Sequence, residues 1–144
     1  MKNKKYLIIL SMLLLFTACE SNSDNTEKKL VANMWLLETY LRNGNDETDQ
    51  IAISNYRENY NDDGTFERSY FNIDGNLVEE TGSWNFKNNE KEIHVSDISS
   101  IRDFSSNNST LSSSIFNIVM LTDNRFRYDY LNGGDNHEFQ FIQE

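Results

Sequence analysis

The sequence predicts an all-β domain, an antiparallel up-and-down barrel of about eight strands, and three observations carry that expectation. Apolar and polar residues alternate with period two through most of the second half of the chain. Clusters of Asn, Asp and Gly interrupt the alternation at short intervals, at Asn61 to Gly64, Asp74-Gly75, Asp123-Asn124 and Asn132 to Asn136. No segment reads as the helical crossover that parallel strands need, so each strand is expected to pair with its sequence neighbours. The 144 residues suit one domain, and 9 Phe with 7 Tyr supply large side chains for its core. A single cysteine excludes an intrachain disulfide and a four-cysteine zinc site, and the absence of proline excludes Pro-rich spacers.

The first element is a leader. Lys2, Lys4 and Lys5 precede an apolar run from Tyr6 to Phe16, which ends in the small residues Thr17 and Ala18 before Cys19. The run is too short for a membrane span, which takes about 20 residues, and has the order of a secretory signal. Its end resembles a bacterial lipoprotein processing site in Leu15, Phe16, Thr17, Ala18 and Cys19, with Phe16 standing where an aliphatic residue is usual. The resemblance implies that residues 1–18 are removed and that Cys19 becomes the lipidated first residue, a membrane anchor without a catalytic role. Acylation also accounts for a lone thiol in an oxidising compartment.

Residues 19–29 contain no large apolar side chain and read as a flexible tether, leaving 30–144 as the domain. The Ser/Asn-rich, acidic start is similar to the post-cysteine stretches that route some lipoproteins of the Bacteroidota to the cell exterior. A cell-envelope location, at the outer membrane, is therefore expected, with periplasmic and surface-exposed orientations both open. Without the three leader lysines, 10 basic residues face 23 acidic ones. Such a body repels phosphate backbones, so nucleic acid is excluded as a partner.

Within the domain, Met34 to Leu41 is the first strand, although its apolar run also suits a short amphipathic helix. Arg42 to Gln50 is a polar loop. Ile51 to Tyr60 is a second strand or a helical lid, because the alternation of Ile51 and Ile53 decays by Asn55. After the Asn61 to Gly64 turn, Phe66, Arg68 and Tyr70 share one strand face. Beyond Asp74-Gly75, Val78, Glu80, Gly82, Trp84 and Phe86 share another, with Gly82 expected at a bulge or bend. Ile93 and Val95 follow the polar turn Asn88 to Lys91, with His94 on the opposite face. Ser112 to Leu121 carries Phe116, Ile118 and Met120 on one side. Phe126, Tyr128 and Tyr130 face inward from the next strand, and Phe139 and Phe141 from the last.

The order Trp35, then Tyr60-Asn61-Asp62-Asp63-Gly64-Thr65-Phe66, then Thr81-Gly82-Ser83-Trp84-Asn85-Phe86, then Ile118 to Thr122 and Asn124-Arg125-Phe126, resembles the lipocalin-like domains of small Bacteroidota lipoproteins. The likeness covers about residues 30–144 and departs from the family pattern at Asn33-Met34-Trp35, where a glycine usually stands two residues before the tryptophan. It implies a lipocalin-like β-barrel but no ligand, because such domains share structural residues rather than a site.

Aromatics at alternating positions can line an interior pocket with a few polar groups at its mouth, which makes Trp35, Phe66, Arg68, Tyr70, Glu80, Trp84, Phe126 and Tyr128 the candidate lining. A small apolar or amphipathic ligand is the partner such a pocket would take. The same rings can equally fill a narrow barrel and leave an envelope accessory or protein-interaction domain, for which the sequence specifies no partner. His94 and His137 are the only histidines and lack metal-ligand spacing. Asn59 to Tyr70 mimics a calcium loop but ends in Tyr where the bidentate Glu belongs. No nucleophile and base, glycine-rich phosphate loop or G-x-S-x-G occurs, so the expectation is a non-enzymatic protein without metal or cofactor.

Overall fold

The computed structural model describes residues 23–51, 53–102 and 110–144; the leader and Cys19 lie outside the described residues. Helix α1, Ser23–Val31, is followed by strands β1 Met34–Arg42, β2 Asn45–Asp46, β3 Ile53–Tyr60, β4 Thr65–Asn72, β5 Leu77–Lys87, β6 Glu92–Arg102, β7 Thr110–Leu121, β8 Arg125–Asn132 and β9 Asp135–Gln143. The long strands pair antiparallel in sequence order, and β1 closes the sheet against β9 from Trp35↔Gln143 to Arg42↔His137. The result is a closed barrel of eight long strands, with β2 a two-residue flap on β1.

Side-chain alternation dictates what lies inside. Trp35, Tyr40, Tyr56, Tyr60, Phe66, Tyr70, Trp84, Ile93, Val95, Phe116, Phe126, Tyr128, Tyr130, Phe139 and Phe141 are buried and form one core. The strand ends define two ends of the barrel. At one lie α1 and the turns 61–64, 88–91 and 122–124; at the other lie 43–51, 73–76 and the Gly133-Gly134 turn. α1 crosses its end between β3 and β7, with Leu30 fully buried and its carbonyl accepting a 2.9 Å hydrogen bond from Trp35 Nε1.

Three expectations change against this frame, and the choice between strand and lid before Tyr60 is decided for the strand. The segment read as a tether is helical from Ser23, and the boundary at residue 30 falls inside α1, because Leu30 and Val31 dock on the core and hold the helix. Residues 53–60 are a strand rather than a lid. The alternation fades at Asn55 because that residue is left-handed (φ 52°) within a register shift between Ser54 and Arg57. Gly82 does not form a bulge. It pairs regularly with Phe66, and a Cβ there would lie 2.4 Å from the Ser96 carbonyl; the left-handed residue is its neighbour across the strands, Asp97 (φ 61°). Finally, Met120 is exposed, because a register shift between Ile118 and Met120 reverses the alternation and turns Leu121 toward the core.

Candidate functional site

The interior is built in layers. Near α1, the Tyr60 ring stands edge-on to Trp84 at 5.5 Å and to Phe126 at 5.9 Å, and Phe66 lies 5.1 Å away. Trp84 Nε1 donates to the Asn61 carbonyl at 2.9 Å. Both indole nitrogens of the barrel are therefore satisfied by backbone, which lets the rings be buried without an orphaned donor.

The middle layer carries charge. Strand register places Glu58 on β3 opposite Arg68 on β4, and Arg68 opposite Glu80 on β5, so three ionisable side chains form one inward-facing row. Arg68 and Glu80 are ion-paired with side chains only 3% and 5% exposed. The Glu58 carboxylate accepts hydrogen bonds from Tyr56 (2.6 Å), Tyr128 (2.8 Å) and Tyr60 (2.8 Å). Burial pushes the Glu58 pKa up; the three hydroxyls and Arg68 pull it back without cancelling the shift. Burial, reinforced by the Glu58 charge, also raises all three tyrosine pKa values. Burial draws the Arg68 pKa down, but Tyr56 and Glu80 outweigh it and hold the guanidinium above its ordinary value.

Toward the far end, Tyr40 Oη and His137 Nδ1 share a 2.7 Å hydrogen bond, and the imidazole stacks on Tyr130 at 5.0 Å. His137 Nε2 and Ser114 Oγ are buried with no hydrogen-bond partner among the described residues. Tyr56 stacks on Tyr70 at 6.0 Å.

All eight sequence-named lining residues are thus inward and buried. Trp35, Phe66, Trp84 and Phe126 gather near α1, while Arg68, Tyr70, Glu80 and Tyr128 belong to the charged middle and the layer beyond it. Arg68 and Glu80 sit inside the wall, paired with each other, and not at a solvated mouth. Sequence reading missed Tyr40, Tyr56, Glu58, Tyr60 and His137. Tyr56, Glu58 and Tyr60 were detectable as one strand parity, but an acid between two tyrosines reads equally as a solvated strand face. Among the described residues no cluster of three or more His, Cys, Asp or Glu could hold a metal ion.

Two concavities mark the outside. One of about 330 Å³ overlies β3 to β5 beside Arg57, Asn59, Glu67 and Glu79. There Glu144 accepts two hydrogen bonds from the Arg57 guanidinium, at 2.5 and 2.6 Å. The other, about 390 Å³, lies between α1 and the irregular end of β7.

Neither a protein-family model nor a curated protein sequence matches the chain. Solved structures do. A lipocalin-like protein from Bacteroides uniformis superposes with a TM-score of 0.56 at 18% identity, over 81% of this chain and 99% of that one. An uncharacterized protein from Bacteroides eggerthii gives 0.49 at 16% identity, over 76% and 98%. Lobster apocrustacyanin A1 gives 0.46 at 16% identity, over 85% and 69%. The first of these establishes the fold: the chain is a lipocalin-like β-barrel.

Proposed function

We propose that this chain is a non-catalytic lipoprotein of the cell envelope, anchored to the outer membrane through Cys19, whose barrel interior serves as its core and whose outer surface and ends make its contacts. The observation that carries this reading is the mutual satisfaction of the charged groups in the middle layer. Glu58 takes three tyrosine hydroxyls, Arg68 takes Glu80, and Phe116 stacks on Tyr128 at 4.3 Å. A ligand entering among them would have to displace hydrogen bonds to buried charge, which are worth about 1.5–3 kcal/mol each. The leader supports the anchor, and the acidic body supports solubility at the membrane surface rather than a nucleic-acid partner.

A small amphipathic ligand near the end opposite α1 is the second reading, favoured by the buried, unpartnered His137 Nε2 and Ser114 Oγ. One experiment separates the two. Native mass spectrometry of the protein extracted from membranes should show the chain from Cys19 with its acyl groups and no further retained molecule. A retained small molecule that is lost in His137→Phe moves the function inside the barrel. A mature protein with a free Cys19 thiol defeats the anchor.

A further inference from the structure

The register shift in β7 does something that ordinary alternation would not: it turns two consecutive apolar side chains outward. Val119 is 42% exposed and Met120 37%, and they line the concavity beside α1 with Ile118, Lys29 and Lys91. On the other side of β7 the Ile118 amide donates to the Lys91 carbonyl at 2.8 Å, which carries the β6–β7 ladder into the β5–β6 turn and sets Lys91 beside the exposed pair. Every lysine among the described residues, Lys28, Lys29, Lys87 and Lys91, lies at this same end of the barrel. Lys29 meets Asp123 only at 3.9 Å, with the Asp123 side chain 89% exposed, a contact loose enough to exchange; Glu90 is the acid on the concavity itself.

We propose that the α1 end of the barrel docks on the phospholipid bilayer, with Val119 and Met120 entering the interface and Lys29 and Lys91 meeting lipid phosphates. This rests on the Cys19 anchor. Three residues lie between Cys19 and Ser23, so four extended steps of chain can hold the start of α1 no more than about 14 Å from the acylated residue. Ile73, Leu77 and Leu131 are exposed at the opposite end, so it is the short link to Cys19 that selects the α1 end, with its Val119–Met120 pair, as the one brought to the membrane. Lysine stems suit that position, lying along apolar surface while the ammonium groups reach the headgroups.

The test uses the acylated full-length product in phosphatidylcholine vesicles containing phosphatidylglycerol. Met120→Cys and, at the opposite end, Asp74→Cys each carry an environment-sensitive fluorophore. Docking predicts blue-shifted emission at position 120, quenched several-fold more by lipid-borne quenchers than at position 74, with the difference reduced in Lys29→Gln/Lys91→Gln. Val119→Asp should weaken the quenching at position 120 while leaving the melting temperature and flotation with the vesicles unchanged. Protein that floats with both probes in water overturns the docking while the anchor stands. Protein that stays in the dense fraction overturns the anchor, and the docking with it.

Discussion

At the scale of the residue, Glu58 is the most consequential group in the barrel. Its folded-state pKa is raised by burial, so protonation favours the folded chain. The stabilisation from that proton is complete below the ordinary Glu value and is lost as pH rises through the raised one. Exposed acids such as Asp63 and Glu144, held low by hydrogen bonds from Thr65 and Arg57, act in the opposite sense. The informative quantity is thus the difference between wild type and Glu58→Gln. Chemical denaturation across the acid range should show wild type losing stability relative to the variant as pH rises, and a difference independent of pH would refute the assignment. Tyr128→Phe should cost about 1.5–3 kcal/mol in the same measurement, because it removes a donor from a buried carboxylate. The importance of Glu58 was hidden in the sequence, since burial of an acid depends on partners contributed from β3 and β8, 70 residues apart for Tyr128.

At the scale of the element, the strands were readable wherever alternation was unbroken and unreadable where the backbone departs from it. Phe126, Tyr128 and Tyr130 announced β8 because nothing disturbs their parity. β3 was ambiguous and the end of β7 was misread for one physical reason: a register shift exchanges the two faces partway along each strand. The β5–β6 contact makes the matching prediction for backbone spacing. Gly82→Ala would drive a Cβ to 2.4 Å from the Ser96 carbonyl and 2.8 Å from Ile98 Cγ1, so the strands must separate. A loss of about 1–3 kcal/mol is expected from such overpacking, read as a lower denaturation midpoint. For α1, Leu30→Ala should cost about 2–5 kcal/mol, since the side chain is fully buried in the core cluster. A near-neutral result would mean that the helix is not held by its packing.

At the scale of the whole molecule, the family resemblance foretold a barrel, and the closing pair β1–β9 makes it one. Closure leaves the last strand indispensable: Phe139 and Phe141 reach the core from β9, and without them β1 and β8 lose a shared neighbour. Ending the chain at residue 136 should therefore abolish the cooperative unfolding transition rather than shift it, as monitored by tyrosine and tryptophan circular dichroism. The same closure fixes where the chain finishes. The Glu144 amide donates to the Met34 carbonyl at 3.0 Å, so the C-terminus lies beside the entry to β1, at the α1 end. An affinity tag or fused reporter appended after Glu144 would start its path next to α1 and, under the proposed anchoring, compete with the bilayer for room. The Asp74-Gly75 turn, at the opposite pole, is the position from which an inserted epitope would project freely away from α1 and from the bilayer that the proposed anchor would bring to it.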